Sequence, residues 1–229
     1  ALGFLWTFLN PLLQLAVYTM VFSVIMRAGI EDYYLFLFVA LIPWIFFSTS
    51  LTGGASCILA QQDMVKKIYF PREVLPVSYV TSQFINMLLS FLVIFAVLFC
   101  ARYTPEPLAV LCLPVVMLVE YGLALGFTMI MSAVTVYLRD LEYVLSIVSM
   151  AWQFLTPVMY SIEQVPDEVR WIFSINPMTY IIVAYRDILY YGKVPKLQTL
   201  LSAFLIGLVM LLIGWMVFQR LQRHFAEEL

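Results

Sequence analysis

Residues 75–101 read LPVSYVTSQFINMLLSFLVIFAVLFCA, a run without one charged side chain. A membrane-spanning helix needs about 20 mostly apolar residues, and this stretch exceeds that length. Its first half holds Ser78, Thr81, Ser82, Gln83, Asn86 and Ser90, groups that hydrogen-bond across helices in lipid. The composition agrees: the chain has 229 residues, 64% hydrophobic and 11% charged. A soluble domain is nearer half apolar and about one quarter charged. Segments alternating with period 2 are absent, which excludes an outer-membrane barrel. A net charge of −2, with no Lys/Arg run, argues against nucleic acid as a partner. The fold class is all-α integral membrane.

Immediately upstream, residues 61–73 read QQDMVKKIYFPRE, with Asp63, Lys66, Lys67, Arg72 and Glu73 set between two apolar runs. Met64, Val65, Ile68 and Tyr69 share one face of a helix, because residues three and four apart are helical neighbours. The same spacing lets Asp63 pair with Lys66 or Lys67. Pro71 stops the helix and pushes Phe70 out of the helical region. Two readings fit this pattern: about two turns of amphipathic helix offered to a partner, or a solvated loop between spans.

Working outward, the spacing predicts six spans. Residues 1–9 are too short to cross and read as the end of an interfacial helix. Asn10-Pro11 then starts a first span to Met26, with Asn as N-cap and Pro at the first helical position. Arg27, Glu31 and Asp32 form a turn. A second span covers 34–60 and contains Pro43, a site for a kink. The run 75–101 is the third, 108–137 the fourth, 143–160 the fifth and 197–217 the sixth. Arg139, Asp140 and Glu142 form a charged turn, and 218–229 a polar tail. Ala1 is not a start methionine, which predicts a preceding N-terminal piece; nothing here reads as a signal peptide.

Residues 161–196 are unusual. Residues 166–173 (PDEVRWIF) read as a short helix begun by proline. Asn176-Pro177 caps another, which ends at Gly192 and is too short to span. Two short helices between full spans read either as a re-entrant hairpin beside a polar path or as an interfacial loop. Charge does not orient the chain. The 12 Lys and Arg residues divide evenly: Lys66, Lys67, Arg72, Arg139, Arg220 and Arg223 on one side, Arg27, Arg102, Arg170, Arg186, Lys193 and Lys196 on the other.

The G-x-x-x-x-G-K-[ST] loop, G-x-S-x-G and H-E-x-x-H are absent. No catalytic residue is assigned. If the chain moves something uphill, the energy therefore comes from another polypeptide. The single histidine, His224, excludes a histidine metal site, and Cys57, Cys100 and Cys112 lack metal-ligand spacing. Cys100 and Cys112 flank a turn, so they read as a bridge or as small buried apolar residues. Glu120 falls near the bilayer midplane. It reads as a substrate contact or proton site, or as a hydrogen-bonding link to a neighbouring helix. Tyr18, Phe22, Trp44, Phe46, Phe47, Trp152 and Phe154 sit mid-span. Their rings either stack on a sliding sugar chain or pack helices together.

Several motifs resemble the membrane subunit of type-2 ABC transporters that export cell-surface polysaccharide or polyol phosphate: O-antigen, capsule, rhamnan or teichoic acid. They are GFLWTFLNPLLQLAVYTMVFS (3–23), IPWIFFSTSLTGGASCI (42–58), VKKIYFPREVLP (65–76), VYLRDLEYVLSIVSMAWQFLTPVMYS (136–161) and NPMTYIIVAYRDILYYG (176–192). The resemblance implies an exporter of a lipid-linked polysaccharide, with a teichoic-acid exporter or a drug or lipid exporter as alternatives. It implies a homodimer of this subunit in the bacterial cytoplasmic membrane, both termini cytoplasmic, over two copies of a separate ATPase that carries the ATP and Mg. This chain itself binds no cofactor and no metal. It implies an ATPase-coupling surface at Val65, Lys66, Lys67, Ile68, Tyr69, Phe70, Pro71, Arg72, Glu73, Arg139 and Asp140. It implies a pore or substrate path with Tyr18, Phe22, Phe46, Phe47, Glu120, Trp152 and Phe154. Re-entrant helices over 166–191 would form an outer gate, with Trp171, Tyr180 and Tyr185 in it.

Overall fold

The structure, a computed structural model, describes residues 2–25, 29–68, 70–100, 103 and 105–228. Every regular element among them is helical. In chain order they are α1 (Leu2–Thr19, continued by a π-helical stretch Met20–Ile25), α2 (Tyr33–Ala55), α3 (Gln62–Lys67), α4 (Val74–Cys100) and α5 (Pro107–Tyr137). There follow α6 (Leu141–Phe154), α7 (Arg170–Ile175), α8 (Pro177–Leu189), α9 (Leu197–Leu221) and α10 (Phe225–Glu228).

Among the described residues, α2, α4, α5 and α9 are long and apolar enough to cross a membrane. The other two expected spans differ. The chain does not restart at Asn10: α1 runs through Pro11 without a break. A proline loses one N–H and crowds the carbonyl four residues back. Within an apolar helix in lipid, neighbouring groups make that tolerable, and Pro11 is buried against its neighbours. The fifth expected span, 143–160, stops at Phe154, so α6 has 14 residues. At 1.5 Å per residue that is about 21 Å, short of a hydrocarbon core of about 30 Å. Pro157 accounts for the stop, because the residue before a proline avoids the helical region. Arg27 and Arg102 lie outside the described residues.

The core sits around α2. A helix apolar on every side belongs in an interior; 78% of the α2 span is buried, against 17% of the α9 span. The outer helix α9 is fixed to α5 by a seam of small residues. Its buried positions are Ala203, Gly207, Gly214 and Phe218. A Cβ on Gly126 of α5 would lie 2.5 Å from the Met210 carbonyl oxygen, and one on Gly214 would run into the Gly126 carbonyl. Such close backbone approach is how helices pack in lipid, where no hydrophobic force drives them together. Cys57, Cys100 and Cys112 are free thiols, Cys57 buried and Cys100 exposed.

The connections gather at two ends. At one, Tyr190 donates to the Glu31 carbonyl at 2.5 Å, Tyr103 to the Tyr190 carbonyl, and the Glu106 amide to the Gly192 carbonyl at 3.3 Å. Gly192 has φ +63°, a conformation that glycine adopts without Cβ strain. At the other end lie α3, residues 68 and 70–73, the turn after α5 and the end of α9, joined where Tyr137 donates to the Leu221 carbonyl at 2.9 Å.

Candidate functional site

At that second end, α3 places Asp63 in its first turn and Lys66 and Lys67 in its last, the charge order that favours a helix dipole. Lys67 Nζ meets Asp63 at 3.4 Å, so Lys67, not Lys66, takes the ion pair. Only Val65 is buried; Lys66 and Lys67 are exposed. The helix stops at Lys67, before Ile68, which the sequence places on its face. Ile68 is extended at φ −126°, ψ 132° and 58% exposed. Tyr69 lies outside the described residues. Phe70 is half-buried, Pro71 exposed, and Arg139 and Asp140 are exposed at the turn into α6. Arg72 donates to the Gln222 carbonyl, and Glu73 accepts from Gln219 at 3.5 Å. The face so formed mixes both signs of charge with apolar side chains; of the residues implied for coupling, Val65 is buried, Phe70, Arg72 and Glu73 are half-buried, and Lys66, Lys67, Ile68, Pro71, Arg139 and Asp140 are exposed.

Inside the bundle, Glu120 of α5 is fully buried, and the Tyr185 hydroxyl of α8 donates to it at 2.6 Å. Its other oxygen has no hydrogen-bond partner among the described residues. Tyr185, expected at an outer gate, is thus a fully buried partner of Glu120. The next residue, Arg186, is 4% exposed, although the sequence counts it among the charges on one side of the membrane. It donates to the Tyr160 carbonyl at 3.1 Å and the Val158 carbonyl at 2.7 Å. Its guanidinium lies 3.6 Å from the Phe36 ring centroid, a cation–π contact. Tyr33 takes the intervening Met159 carbonyl at 2.7 Å. The strand of chain after α6 is therefore pinned to α2 and α8 at three successive carbonyls.

The mid-span aromatics divide. Phe46 and Phe47 are buried. Phe46 meets Phe84 edge-on at 5.7 Å. Phe47 meets Trp152 at 5.1 Å and Phe127 at 5.7 Å, and Trp152 meets Phe127 at 5.3 Å. These rings join α2, α4, α5 and α6; Phe46 and Phe47 are buried, whereas Phe84, Phe127 and Trp152 are half-buried. Tyr18 and Phe22 are half-buried, with Phe22 stacked on Tyr33 at 6.2 Å. Phe154 and Trp171 are exposed. Tyr180 is half-buried and donates to the Ser174 carbonyl at 2.7 Å.

Sequence reading passed over Asn176 except as a cap, and passed over Tyr137 and Phe225 altogether. Asn176 caps α8 as expected, accepting from the Met178 amide at 3.0 Å. It also accepts from Trp152 at 3.0 Å and donates to the Leu155 carbonyl and to Thr156. For Phe225, the one available signal was a large apolar residue within a polar tail.

These features define a multi-pass helical membrane protein with a charged end and a tightly paired polar interior. A family described as ABC-2 type transporter matches residues 1–190, and the chain belongs to that family. It is 37% identical over 230 residues to the O-antigen export system permease protein RfbA of Myxococcus xanthus, covering 100% of this chain and 88% of that protein. Two proteins of the same name from Klebsiella pneumoniae are 31% identical over 228 residues (100% and 88% covered) and 30% identical over 227 (99% and 87%).

Proposed function

We propose that this chain is the permease subunit of an ATP-driven exporter that carries a lipid-linked, O-antigen-like polysaccharide across the bacterial cytoplasmic membrane. The observation that carries this reading is similarity along the whole chain to relatives named O-antigen export permeases. Two copies form the path, and two copies of a separate ATPase, holding ATP and Mg, dock at the α3 end. Both termini are cytoplasmic, the chain crosses six times, and 161–196 is a re-entrant hairpin on the outer side. In support, Asn176 adjoins Leu155 and Thr156 while Arg186, ten residues on, adjoins 158–160. Helix α8 thus runs alongside the chain that leaves α6, toward the end where Tyr190 meets Glu31.

In this mechanism, closure of the ATPase dimer pushes on α3 and the exposed 139–140 turn, and α6 follows because it begins at Leu141. Tyr18, Phe22, Trp152 and Phe154 keep surface with which to stack on a polymer. Phe46 and Phe47 stiffen the wall behind them.

The test is purification of the subunit from native membrane, scored for an associated ATPase and for lipid-linked glycan by mass. Recovery of both supports the proposal. ATPase without glycan moves the reading to a drug or lipid exporter; an intact complex without ATPase overturns it. Replacing Lys66 and Lys67 by Ala should lower substrate-stimulated ATP hydrolysis while membrane insertion is retained.

A further inference from the structure

The C-terminal segment is built into the coupling end. Helix α9 passes through Gln222–His224 into α10, and Phe225, the first residue of α10, is fully buried. Its ring meets Phe218 edge-on at 5.8 Å and Tyr137 at 6.3 Å, and the Arg72 guanidinium lies 5.9 Å from its centroid. The last carbonyls of a helix lack partners within it. Here side chains from two different turns reach those at the end of α9. Tyr137, just before the 139–140 turn, takes the Leu221 carbonyl at 2.9 Å. Arg72, in the segment after α3, takes the Gln222 carbonyl. Gln219 reaches Glu73 at 3.5 Å.

We infer that residues 219–225 clasp the two ATPase-facing turns into one body, with Phe225 as the latch and Tyr137 and Arg72 as positioning residues. The inference rests on the proposed docking of an ATPase at this end. Two turns tethered only to their own helices would each yield separately to a push. Packed together through a close-packed contact they transmit it, so force on α3 reaches Leu141 and α6.

The test uses the whole exporter complex, reconstituted in liposomes, with Phe225→Ala, Phe225→Leu and Tyr137→Phe. The ATPase subunit should still co-purify in full and basal hydrolysis should be unchanged. Glycan exported per ATP should fall at least about fivefold in Phe225→Ala, the low end of coupling between sites. Phe225→Leu, which keeps the apolar volume, should recover most of it, and Tyr137→Phe, which removes one hydrogen bond, should fall between. Unchanged export per ATP in both Phe225→Ala and Tyr137→Phe overturns the clasp. So does loss of the ATPase from the purified variants in proportion to lost export, since that is assembly and not transmission. A wild-type preparation that carries no ATPase removes the proposed function, and the clasp with it.

Discussion

Asn176 uses its whole carboxamide. Its oxygen accepts from Trp152 Nε1 and the Met178 amide, and its nitrogen donates to Leu155 and Thr156, which fills two donors and two lone pairs. Asn176→Ala leaves several of these groups without partners, each at a cost of about 1–3 kcal/mol when buried. The purified subunit should lose several degrees of melting temperature, and Thr156→Val, which removes the bond from Asn176 and the one to the Trp152 carbonyl, should lose less. Glu120 and Tyr185 allow a sharper test. Tyr185→Phe strands a buried carboxyl and Glu120→Met strands a buried hydroxyl, so each should destabilise by about 1–3 kcal/mol. The double variant replaces both partners with apolar groups and should recover much of the loss. If the double variant is stable and still exports, Glu120 is a link between α5 and α8. Stability without export makes it part of the substrate path.

At the α5–α9 seam the glycines are not equivalent. Gly126 and Gly214 face backbone that a Cβ would strike, whereas a Cβ on Gly122 meets nothing nearer than Leu211 at 3.9 Å. Gly126→Ala and Gly214→Ala should therefore yield poorly folded protein, seen as loss of a monodisperse elution peak. Gly122→Ala should be neutral or stabilise by up to about 1 kcal/mol through helix propensity. The long apolar runs made α2, α4, α5 and α9 legible to within a residue or two at most ends, because nothing but a helix satisfies that much backbone in lipid. Asn176-Pro177 and Gly192 marked the start of α8 and the turn beyond it. Asn10-Pro11 misled because the same pair reads identically whether it begins a helix or lies within one. The early ends of α3 and α6 were set near Pro71 and Pro157, whose influence began a few residues upstream. Arg186, Tyr185 and Phe225 were beyond local reading: their partners lie far off in sequence, as with Tyr185 and Glu120, 65 residues apart, or Arg72 and Gln222, 150 apart.

The contacts at the two ends also constrain the path of the whole chain. Residues 68 and 70–73, Tyr137 and the end of α9 share one end. Residues 31, 103, 105, 106 and 190–192 share the other. The chain leaves the first end at Asp140 and has reached the second by Tyr190, yet none of α6, α7 and α8 is long enough to span. In the proposed six-span topology the crossing is assembled from α6, the chain pinned at 158–160 and α8 together, although none of these helices spans by its own length. With the α3 end cytoplasmic, exposed Lys66 and Arg223 lie inside and exposed Glu163 outside. Single-cysteine variants Lys66→Cys, Glu163→Cys and Arg223→Cys, made with Cys100→Ser and Cys112→Ser, test this with a membrane-impermeant maleimide. Glu163→Cys should label on intact cells, and the other two only after the membrane is opened. Labelling of Glu163→Cys only after opening would mean that 141–163 does not complete a crossing, and the six-span topology would fall. Labelling of all three on intact cells would put the α3 end outside and remove the docking site proposed for the ATPase.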